Sequence, residues 1–337
     1  MKVLFIGGTG NISTASVQLA AEKGIDLYVF NRGKSGDPLP EGVTQLKGDW
    51  SKKDEFAKIV EPHRFDVVVN WIIFVPEQIE ADYGVFKGKV GQYIFISSAS
   101  CYQKPAVNYI ITESTPLHNP FWEYSRNKIA CELKLMELYR NEGFPATIVR
   151  PSFTFGDRWI PAAVGSVNKY TVIDRMKKGK KVIVHGDGQS LWSTTHNTDF
   201  AKGLVGLLGN TRAIGEAFHI STDEVLTWDQ MYMAMGRAVG VEPKLVHIPS
   251  EFINEFAPDI GANLLGDKAC SMVMDNSKLK RVVPEFKATM PFSEGIKRSV
   301  AWFEADRSRQ VVDEKENELM DRIIDAYEGA LKKAAVK

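Results

Sequence analysis

The chain has 337 residues, and its 42 lysines and arginines equal its 42 aspartates and glutamates, so the formal net charge at neutral pH is zero. This balance argues against a general nucleic-acid binder, which normally carries a basic surplus, and the basic run 177–181 is read as a solvated turn. Hydrophobic residues make up 44% and charged residues 25%, which is ordinary for a globular protein with a sizeable core.

The three cysteines, Cys101, Cys131 and Cys270, lie far apart without C-x-x-C spacing, which predicts a reducing compartment, no disulfides and no zinc site. The first apolar run, 2–6, leads straight into glycines and reads as a buried strand rather than a targeting signal. No apolar stretch approaches the roughly 20 residues that span a bilayer. We therefore predict a cytoplasmic protein that binds neither metal nor membrane.

In chain order, residues 1–150 alternate short β-branched or aromatic runs with helical patterns, which is typical of a parallel sheet wrapped by helices. Near-continuous apolar runs such as 67–69 suit strands that are covered on both faces. The predicted helices are 11–23, 51–61, 76–87 and 123–140, the second opened by the capping-box spacing of Ser51 and Asp54. The predicted strands are 2–7, 26–30, 44–47, 66–70, 92–97 and 147–150.

Beyond Arg150 and Pro151 the alternation loosens into a smaller lobe that is interleaved with the end of the sheet. Further helices are predicted over 159–178, 199–208, 227–239 and 294–303, and strands near 182–185 and 217–221. Residues 304–337 predict one amphipathic helix, packed either on its own lobe or on a partner subunit. Its apolar positions are Val312, Leu319, Ile323, Tyr327 and Ala330.

The glycine-rich segment Gly7-Gly8-Thr9-Gly10 closes the first predicted strand and opens the first predicted helix. In that context Gly7 permits a sharp turn, and Gly10 leaves room for a nucleotide pyrophosphate at the helix start. Ser13 occupies the position where a third small residue lets helix and strand pack closely. The motif predicts a bound dinucleotide.

The end of the second predicted strand indicates which dinucleotide binds. An NAD site usually has an acid here for the ribose 2′-hydroxyl, whereas this chain has Asn31 followed by Arg32 and Lys34. The two cations suit a 2′-phosphate, so NADP is favoured, although Asn31 can also hydrogen-bond the plain ribose of NAD. Asp49, after the third strand, either contacts adenine or simply ends the strand in a turn.

The pattern Y-x-x-x-K occurs twice, at Tyr83 with Lys87 and at Tyr124 with Lys128. The first copy precedes the strand that ends in Ser98, so the usual order of elements cannot bring it to the end of that strand. Tyr124 follows Ser98 by 26 residues, which leaves room for a loop and the start of a long helix. We read the first copy as chance and predict that the second is catalytic.

One helical turn separates Tyr124 from Lys128, and a nearby cation favours the phenolate, as does an oxidised nicotinamide. We therefore expect the pKa of Tyr124 to fall from about 10 towards neutrality. Lys128 can also hold the nicotinamide ribose. Ser98 is predicted to share the substrate oxygen with Tyr124, and Ser100 is the alternative for that role.

Taken together, these motifs resemble the extended short-chain dehydrogenase/reductase family, the NAD(P)-dependent epimerase/dehydratase group, over roughly residues 1–303. The residues that carry the resemblance are Gly7-Gly8-Thr9-Gly10, Asp49, Ser97-Ser98-Ala99-Ser100-Cys101-Tyr102, Tyr124 with Lys128, Arg150-Pro151-Ser152-Phe153-Thr154-Phe155-Gly156, Gly186-Asp187-Gly188 and His196-Asn197-Thr198-Asp199-Phe200-Ala201.

The resemblance implies an α/β fold, a Rossmann doubly wound parallel sheet with a smaller C-terminal substrate lobe. It divides the chain into an NAD(P)-binding domain over 1–155, whose sheet later segments complete, a substrate lobe over 156–303 and the amphipathic helix over 304–337. It also allows a homodimer, because members of this group often associate through helices that include the one bearing Tyr124.

The same resemblance assigns roles to residues. Tyr124 would be the acid and base, Lys128 its partner and ribose ligand, and Ser98 the ligand of the substrate oxygen. The predicted cofactor-binding residues are Gly7, Thr9, Gly10, Asn11, Ile12, Asn31, Arg32, Asp49, Trp50, Asn70, Trp71, Ser97, Lys128, Pro151 and Phe153, and the predicted substrate-binding residues are Ser100, Trp122 and Trp192.

Three departures from the family pattern bear on the substrate and the cofactor. Trp192 stands where nucleotide-sugar enzymes usually carry an arginine for the substrate pyrophosphate, which argues against a UDP- or dTDP-sugar. Asn70 and Trp71 replace a pair of small residues and add bulk at the cofactor's edge, and Ser13 replaces the last glycine. Trp122 and Trp192 either form an aromatic wall for a sugar ring or pack in the core between the lobes.

The leading prediction is an NAD(P)-dependent epimerase or dehydratase that oxidises a hydroxyl of a sugar or sugar-like alcohol transiently and then returns the hydride. The alternative is an NADP-dependent reductase or dehydrogenase of a small carbonyl or alcohol, which Arg32 favours. A hypothesis from another class is a non-catalytic NAD(P)-sensing or RNA-binding relative.

Overall fold

The computed structural model describes residues 1–34 and 38–335. Within those residues the strands are β1 Lys2–Ile6, β2 Asp26–Asn31, β3 Thr44–Lys47, β4 Val67–Asn70, β5 Gln92–Ile96, β6 Ile110–Ile111, β7 Ala146–Pro151, β8 Thr154–Phe155, β9 Lys181–His185, β10 Leu191–Trp192, β11 Thr195–His196, β12 Ala217–Ile220, β13 Leu226–Thr227, β14 Lys244–Ile248 and β15 Val273–Met274. The α-helices are α1 Ser13–Glu22, α2 Lys53–Val60, α3 Pro76–Phe86, α4 Glu123–Glu142, α5 Thr171–Lys177, α6 Asn197–Leu207, α7 Trp228–Ala238, α8 Ser250–Phe256, α9 Pro258–Asn263, α10 Ser277–Val282, α11 Phe292–Glu304 and α12 Glu314–Ala335.

In this part of the chain, seven strands form one parallel sheet in the order β3–β2–β1–β4–β5–β7–β12. The order runs outward from β1 in both directions, so the connections change direction between β1 and β4. At such a switch point the carboxyl ends of the strands leave a crevice that can hold a ligand. The predicted Rossmann doubly wound sheet is confirmed.

The sheet separates two hydrophobic clusters, because successive side chains of a strand point to opposite faces. Along β1, Val3 and Phe5 pack with residues of α1 and α6. Leu4 and Ile6 pack on the other face with residues of α2, α3 and α4. Both faces are therefore covered, as the near-continuous apolar strands predict.

The smaller lobe has a hydrophobic cluster of its own, built from the parallel pair β9 and β14 and from helices α5, α7, α11 and α12. The lobe is interleaved with the sheet along the chain. Helix α6 and strand β12 follow β9 in sequence, yet they pack against and complete the central sheet. The domain boundaries at 155 and 303 stay a prediction.

The segment predicted as one helix over 159–178 is helical only in α5. Before α5 the chain forms a loop in which the Ile160 N–H donates to the Val167 carbonyl at 2.7 Å and the Ala163 N–H donates to the Tyr232 hydroxyl at 3.0 Å. Pro161 explains the difference, because proline has no N–H to donate and disfavours helical backbone at the residue before it.

Helix α2 begins at Lys53, so the predicted capping box at Ser51 is wrong. The backbone N–H and the hydroxyl of Ser51 both donate to Oδ1 of Asp49, at 3.0 and 2.8 Å. Such a turn around an aspartate side chain offers the backbone an alternative to the start of a helix.

The C-terminal helix packs on the lobe of its own chain. Ile323 of α12 is buried, and Arg175 of α5 donates to Oδ1 of Asn317 at 3.0 Å and to Oδ1 of Asp321 at 2.6 Å. The helix begins at Glu314, so Val312 precedes it, and positions 336–337 of the predicted helix lie outside the described residues.

Within residues 1–34 and 38–335, no helix combines the length and the apolar character needed to cross a membrane. The same ranges contain no group of three or more His, Cys, Asp or Glu side chains that could hold a metal ion. Cys101, Cys131 and Cys270 are free thiols, and the first two are buried.

Candidate active site

The glycine turn, residues 7–10, connects β1 to α1 at the switch point of the sheet. Gly7 has a φ of +104°, which favours glycine, and a Cβ atom there would lie 3.1 Å from Cβ of Trp71. A Cβ atom on Gly10 would have only Oγ of Ser13 within 4 Å, at 3.5 Å, so Gly10 faces open space. The Gly10 N–H donates to that hydroxyl at 2.9 Å. The turn therefore leaves backbone at the helix start accessible to a ligand.

One cavity of about 630 Å³ brings the two sequence motifs together. Its wall includes residues 7–13 of the glycine turn and helix start, and it also includes Ser98, Tyr124 and Lys128. A dinucleotide needs such continuity, because its pyrophosphate and its nicotinamide occupy one site at the same time. The other predicted site residues on the wall are Trp71, Ser97, Ser100, Trp122, Pro151, Phe153 and Trp192.

The three predicted catalytic side chains come from neighbouring elements at one edge of the sheet. Ser98 follows β5, and Tyr124 and Lys128 lie near the start of α4. The buried Lys128 amine donates to the carbonyl of Ile96 at 2.9 Å and to that of Ile73 at 2.5 Å, and it lies 5.7 Å from the centroid of the Tyr124 ring. Lys128 therefore also attaches α4 to the ends of β4 and β5.

Burial dominates the ionisation of both groups on α4. It lowers the pKa of Lys128 to about 8, and it raises the pKa of Tyr124 above its ordinary range, although a hydrogen bond with Ser98 acts in the opposite direction. The prediction that Lys128 lowers the pKa of Tyr124 is therefore wrong for this chain, because desolvation favours the neutral phenol and the amine is engaged with two carbonyls. Burial therefore keeps the Tyr124 phenol in its neutral form at neutral pH.

The first copy of the Y-x-x-x-K pattern lies at the surface, outside the cavity wall. The Tyr83 hydroxyl donates to Oε2 of Glu142 at 3.1 Å, and the Lys87 amine donates to the same oxygen at 2.8 Å. This pair joins α3 to the end of α4. It offers a matched control for the pair in the cavity.

The three predicted substrate residues line the cavity in different ways. The half-buried Trp122 ring lies 4.7 Å from the Tyr124 ring, centroid to centroid. Ser100 is buried, with its hydroxyl 2.8 Å from that of Ser98. Trp192 is 1% exposed and packs against Trp228 with ring centroids 6.1 Å apart, so most of this side chain belongs to the core.

The side chains of two predicted cofactor ligands, Trp50 and Asn70, form hydrogen bonds inside the protein. Nε1 of Trp50 and Nδ2 of Asn70 donate to the buried carboxylate of Asp82, at 2.9 and 2.6 Å. The Tyr93 hydroxyl donates to the same carboxylate at 2.7 Å. A buried carboxylate needs such donors, so these two polar atoms are engaged inside the protein, and neither residue lines the cavity. The cofactor contacts of Trp50 and Asn70 stay a prediction. Burial also raises the pKa of Asp82.

Two further predicted ligands have structural contacts as well as a place on the cavity wall. The Ser97 hydroxyl donates to Oε1 of Glu132 at 2.5 Å. The Trp71 ring packs edge-on against Phe5 at 5.6 Å and also against Phe200 at 6.2 Å. The bulk predicted to crowd the cofactor's edge therefore lies largely in the core beneath the glycine turn.

Asn31 and Arg32, at the end of β2, lie outside the cavity wall, and their contact with the adenosine half of NAD(P) stays a prediction. Oδ1 of Asn31 accepts from the Gly33 N–H at 2.8 Å and from Gln45 at 2.7 Å, whereas Nδ2 is a buried donor with no partner in the described chain. Arg32 is exposed. The spare donor, the accessible glycine backbone and the continuous cavity fit an NAD(P) dinucleotide. For Asp49, outside the cavity wall, the adenine contact stays a prediction.

Sequence reasoning missed a polar pair on the cavity wall, Asp267 and Lys268, which lies in a π-helical turn after α9. The Lys268 amine donates to Oδ1 of Asn263, lies 3.4 Å from Oδ2 of Asp267, and sits 4.9 Å above the Phe153 ring. No periodic pattern marks this turn in the sequence. Phe74, Trp159 and Asn263 were missed in the same way.

A model of the NAD dependent epimerase/dehydratase family matches residues 3–221, well over half of the chain. The chain belongs to this family. The predicted family and an NAD(P)-dependent enzyme of oxidoreductase type are thereby confirmed, whereas the roles of individual residues stay predictions.

Two curated proteins illustrate the similarity of the chain within the epimerase/dehydratase family. The 2′-dehydrokanamycin reductase of Streptomyces kanamyceticus is 25% identical over 289 residues, which cover 85% of this chain and 80% of that protein. The chloroplast stem-loop binding protein of 41 kDa b from Arabidopsis thaliana is 29% identical over 266 residues, which cover 74% of this chain and 67% of that protein.

Solved structures agree on the fold of the epimerase/dehydratase family. An epimerase from Methanothermobacter thermautotrophicus superposes with a TM-score of 0.73 at 18% identity, covering 91% of this chain and 93% of that chain. UDP-glucuronic acid 4-epimerase from Bacillus cereus, in complex with UDP-glucuronic acid and NAD, gives 0.72 at 17% identity, covering 90% and 99%. At these identities the likeness shows the fold alone.

The depressed pKa of Lys128 predicts a pH-dependent stability. Lysine ordinarily titrates at 10.5, so between pH 8 and pH 10 the unfolded chain binds more protons at this position than the folded chain. The free energy of unfolding should therefore rise with pH in this window, by roughly 2 kcal/mol from this one group. We expect Lys128→Met to lose that rise in urea unfolding at the two pH values.

The surface lysine of the first copy provides the control. Lys87→Met should keep the rise, because the pKa of Lys87 lies above its ordinary value through hydrogen bonds with Glu142 and Tyr83. Identical pH profiles for the wild type and Lys128→Met would contradict the assignment.

Proposed function

We propose that the chain is an NAD(P)-dependent epimerase or dehydratase that acts on a sugar or sugar-like alcohol through hydride transfer assisted by Ser98, Tyr124 and Lys128. The observation that supports this function is the single cavity that both the glycine turn and these three side chains line. The side chains and the backbone that this chemistry would use then line one continuous cavity.

The residues divide the binding of the dinucleotide among them. The backbone of residues 9–12 would hold the pyrophosphate at the start of α1, and Lys128 would hold the nicotinamide ribose. Asn31 and Arg32 would bind the ribose at the adenosine end. When bound, the dinucleotide supplies the hydride donor or acceptor.

Tyr124 and Ser98 would act on the substrate oxygen. The phenol of Tyr124 is neutral at neutral pH, because burial raises its pKa, so it can give its proton to a carbonyl oxygen that is becoming an alcohol. In the reverse direction the proton returns from the alcohol to the phenolate. Ser98 would hold the same oxygen in place by a hydrogen bond.

The charges around the cavity favour a substrate without a diphosphate. The charged residues of the described wall are Lys128, Asp267 and Lys268, and arginine is absent from that wall. With Lys128 assigned to the cofactor, the remaining pair is neutral overall, whereas cationic side chains, and arginine above all, are the side-chain ligands that favour a substrate diphosphate. Trp122 and Trp159 offer aromatic faces on which a sugar ring can stack. An unphosphorylated sugar-like alcohol fits these walls.

A net reductase with NADP is the second candidate. The neutral Tyr124 phenol favours proton donation to a carbonyl, which is the reductive direction. The exposed Arg32 favours a 2′-phosphate, and the relative from Streptomyces kanamyceticus is named for the reduction of 2′-dehydrokanamycin. Epimerisation, dehydration and net reduction share the hydride step at this site and differ in the later fate of the oxidised or reduced carbon.

An RNA-binding function is less well supported, although one relative is named for binding a chloroplast stem-loop. The four lysines of the run 177–181 lie beside the carboxylates of Glu304, Asp174, Asp321 and Glu328 respectively. Three of these carboxylates come from α11 and α12. Paired lysines are a weaker attraction for phosphate than a basic surface. A homodimer through α4 stays a prediction.

Replacement of Tyr124 tests the proposed chemistry. Tyr124→Phe removes the transferable proton and should lower turnover by about 10³-fold, within the range for a lost acid or base. Turnover is followed by nucleotide absorbance with NAD or NADP and a panel of aminoglycosides, free sugars and UDP-sugars. Calorimetry should show unchanged nucleotide affinity.

Tyr83→Phe is the matched control for this variant, because it removes a phenol with the same spacing to a lysine outside the cavity. It should retain wild-type turnover. Full activity of Tyr124→Phe on the substrate that the wild type uses would remove Tyr124 from the mechanism.

The inferred NADP preference has its own test. Arg32→Ala should weaken NADP binding by about tenfold in calorimetry, the value of one charge-assisted hydrogen bond, and should leave NAD binding unchanged. Arg64→Ala, an exposed arginine just before β4, is the control and should change neither affinity. Equal losses for NAD and NADP in Arg32→Ala would refute the preference.

A further inference from the structure

We propose that Ser100 and Ser125 are positioning residues that hold Ser98 as a hydrogen-bond donor towards the substrate oxygen. The inference rests on the proposed hydride-transfer function. It adds two residues that act through Ser98, and it gives a fixed direction to the hydrogen bond between Ser98 and the substrate.

Three serine hydroxyls form a chain beneath the catalytic tyrosine. The Ser125 hydroxyl donates to Oγ of Ser100 at 2.7 Å. Oγ of Ser100 lies 2.8 Å from Oγ of Ser98, and the Ser100 backbone N–H donates to the same Ser98 oxygen at 3.2 Å. Ser98 is therefore contacted twice by Ser100.

The direction of the chain is determined by counting hydrogens. A serine hydroxyl has one hydrogen to donate and two lone pairs with which to accept. Ser125 gives its hydrogen to Ser100. If Ser98 also donated to Ser100, the hydrogen of the buried Ser100 hydroxyl would have no acceptor among the described residues, so Ser100 gives it to Ser98. Oγ of Ser98 then accepts from both the hydroxyl and the N–H of Ser100, and only its hydrogen is left for the cavity.

The surroundings keep this arrangement from rearranging. Ser100 and Ser125 are both buried, which disfavours replacement of either partner by water. Ser98 caps the short 3₁₀ turn Ala99–Cys101, and Nδ2 of Asn119 donates to the Ser100 carbonyl at 2.9 Å. Ser125 follows Tyr124 on α4, so the chain of hydroxyls connects the two elements that carry the catalytic groups.

The fixed direction of this hydrogen bond determines how Ser98 acts on the substrate oxygen. A fixed donor stabilises negative charge as it develops on the substrate oxygen during hydride transfer, and it loses nothing to reorientation at that moment. Ser98 keeps its proton throughout, and the transferred proton moves between Tyr124 and the substrate. A serine free to rotate would spend part of its time as an acceptor.

A double-mutant cycle tests the inference. Ser125→Ala should lower kcat by about tenfold, the effect of one misdirected hydrogen bond, with the KM for nucleotide and the melting temperature unchanged. In a Ser98→Ala background the same change should have no further effect on kcat, because Ser125 acts only through Ser98. Ser125→Thr, which keeps a hydroxyl, should restore part of the loss.

Ser299→Ala controls for the removal of a buried serine hydroxyl on a helix outside the cavity wall, and it should leave kcat unchanged. An unchanged kcat in Ser125→Ala, or an equal loss in the Ser98→Ala background, would overturn the inference. If Tyr124→Phe is inactive while Ser125→Ala keeps the wild-type kcat, only this inference fails. If Tyr124→Phe is fully active, the proposed function itself fails.

Discussion

The whole site depends on one topological constraint, which is that parallel strands end at the same edge of their sheet. The glycine turn follows β1, Ser98 follows β5 and Phe153 follows β7, so three segments far apart in sequence share one cavity. Helix α4 is attached to that edge because the buried Lys128 amine binds the carbonyls of Ile73 and Ile96. The lysine that would hold the cofactor is thus also a residue that fixes the position of Tyr124.

Buried charges behind the cavity wall keep this edge rigid. Arg150 binds Glu132 through Nε at 2.9 Å and through Nη2 at 2.6 Å, and Ser97 donates to the same carboxylate. A buried ion pair with well-aligned hydrogen bonds is costly to break from one side, so α4 and the ends of β5 and β7 are held together. Asp82 does the same between β4, β5 and α3 through its donors. These residues lie next to site residues in the sequence, and their side chains support the site from behind the cavity wall.

The sequence predicted the sheet, the glycine turn and which of the two Y-x-x-x-K pairs lies beside Ser98. Each of these depends on local pattern and on the order of elements. It failed where the outcome depends on distant contacts. Trp50 and Asn70 look like cofactor ligands by position, but the carboxylate of Asp82, on α3, accepts from the side chains of both. The pKa of Tyr124 depends on burial, which spacing does not reveal. Lys268 reaches the cavity only because an irregular turn of the smaller lobe lies against it.

The central claim is that one dinucleotide spans the cavity from the glycine turn to Tyr124. A crystal structure of the protein grown with NADP tests it most directly. We expect the pyrophosphate at the backbone of residues 9–12, the nicotinamide ring beside the Tyr124 hydroxyl, and the 2′-phosphate against Arg32. A nicotinamide ring bound away from Tyr124, or a dinucleotide that leaves the glycine turn uncontacted, would contradict the account.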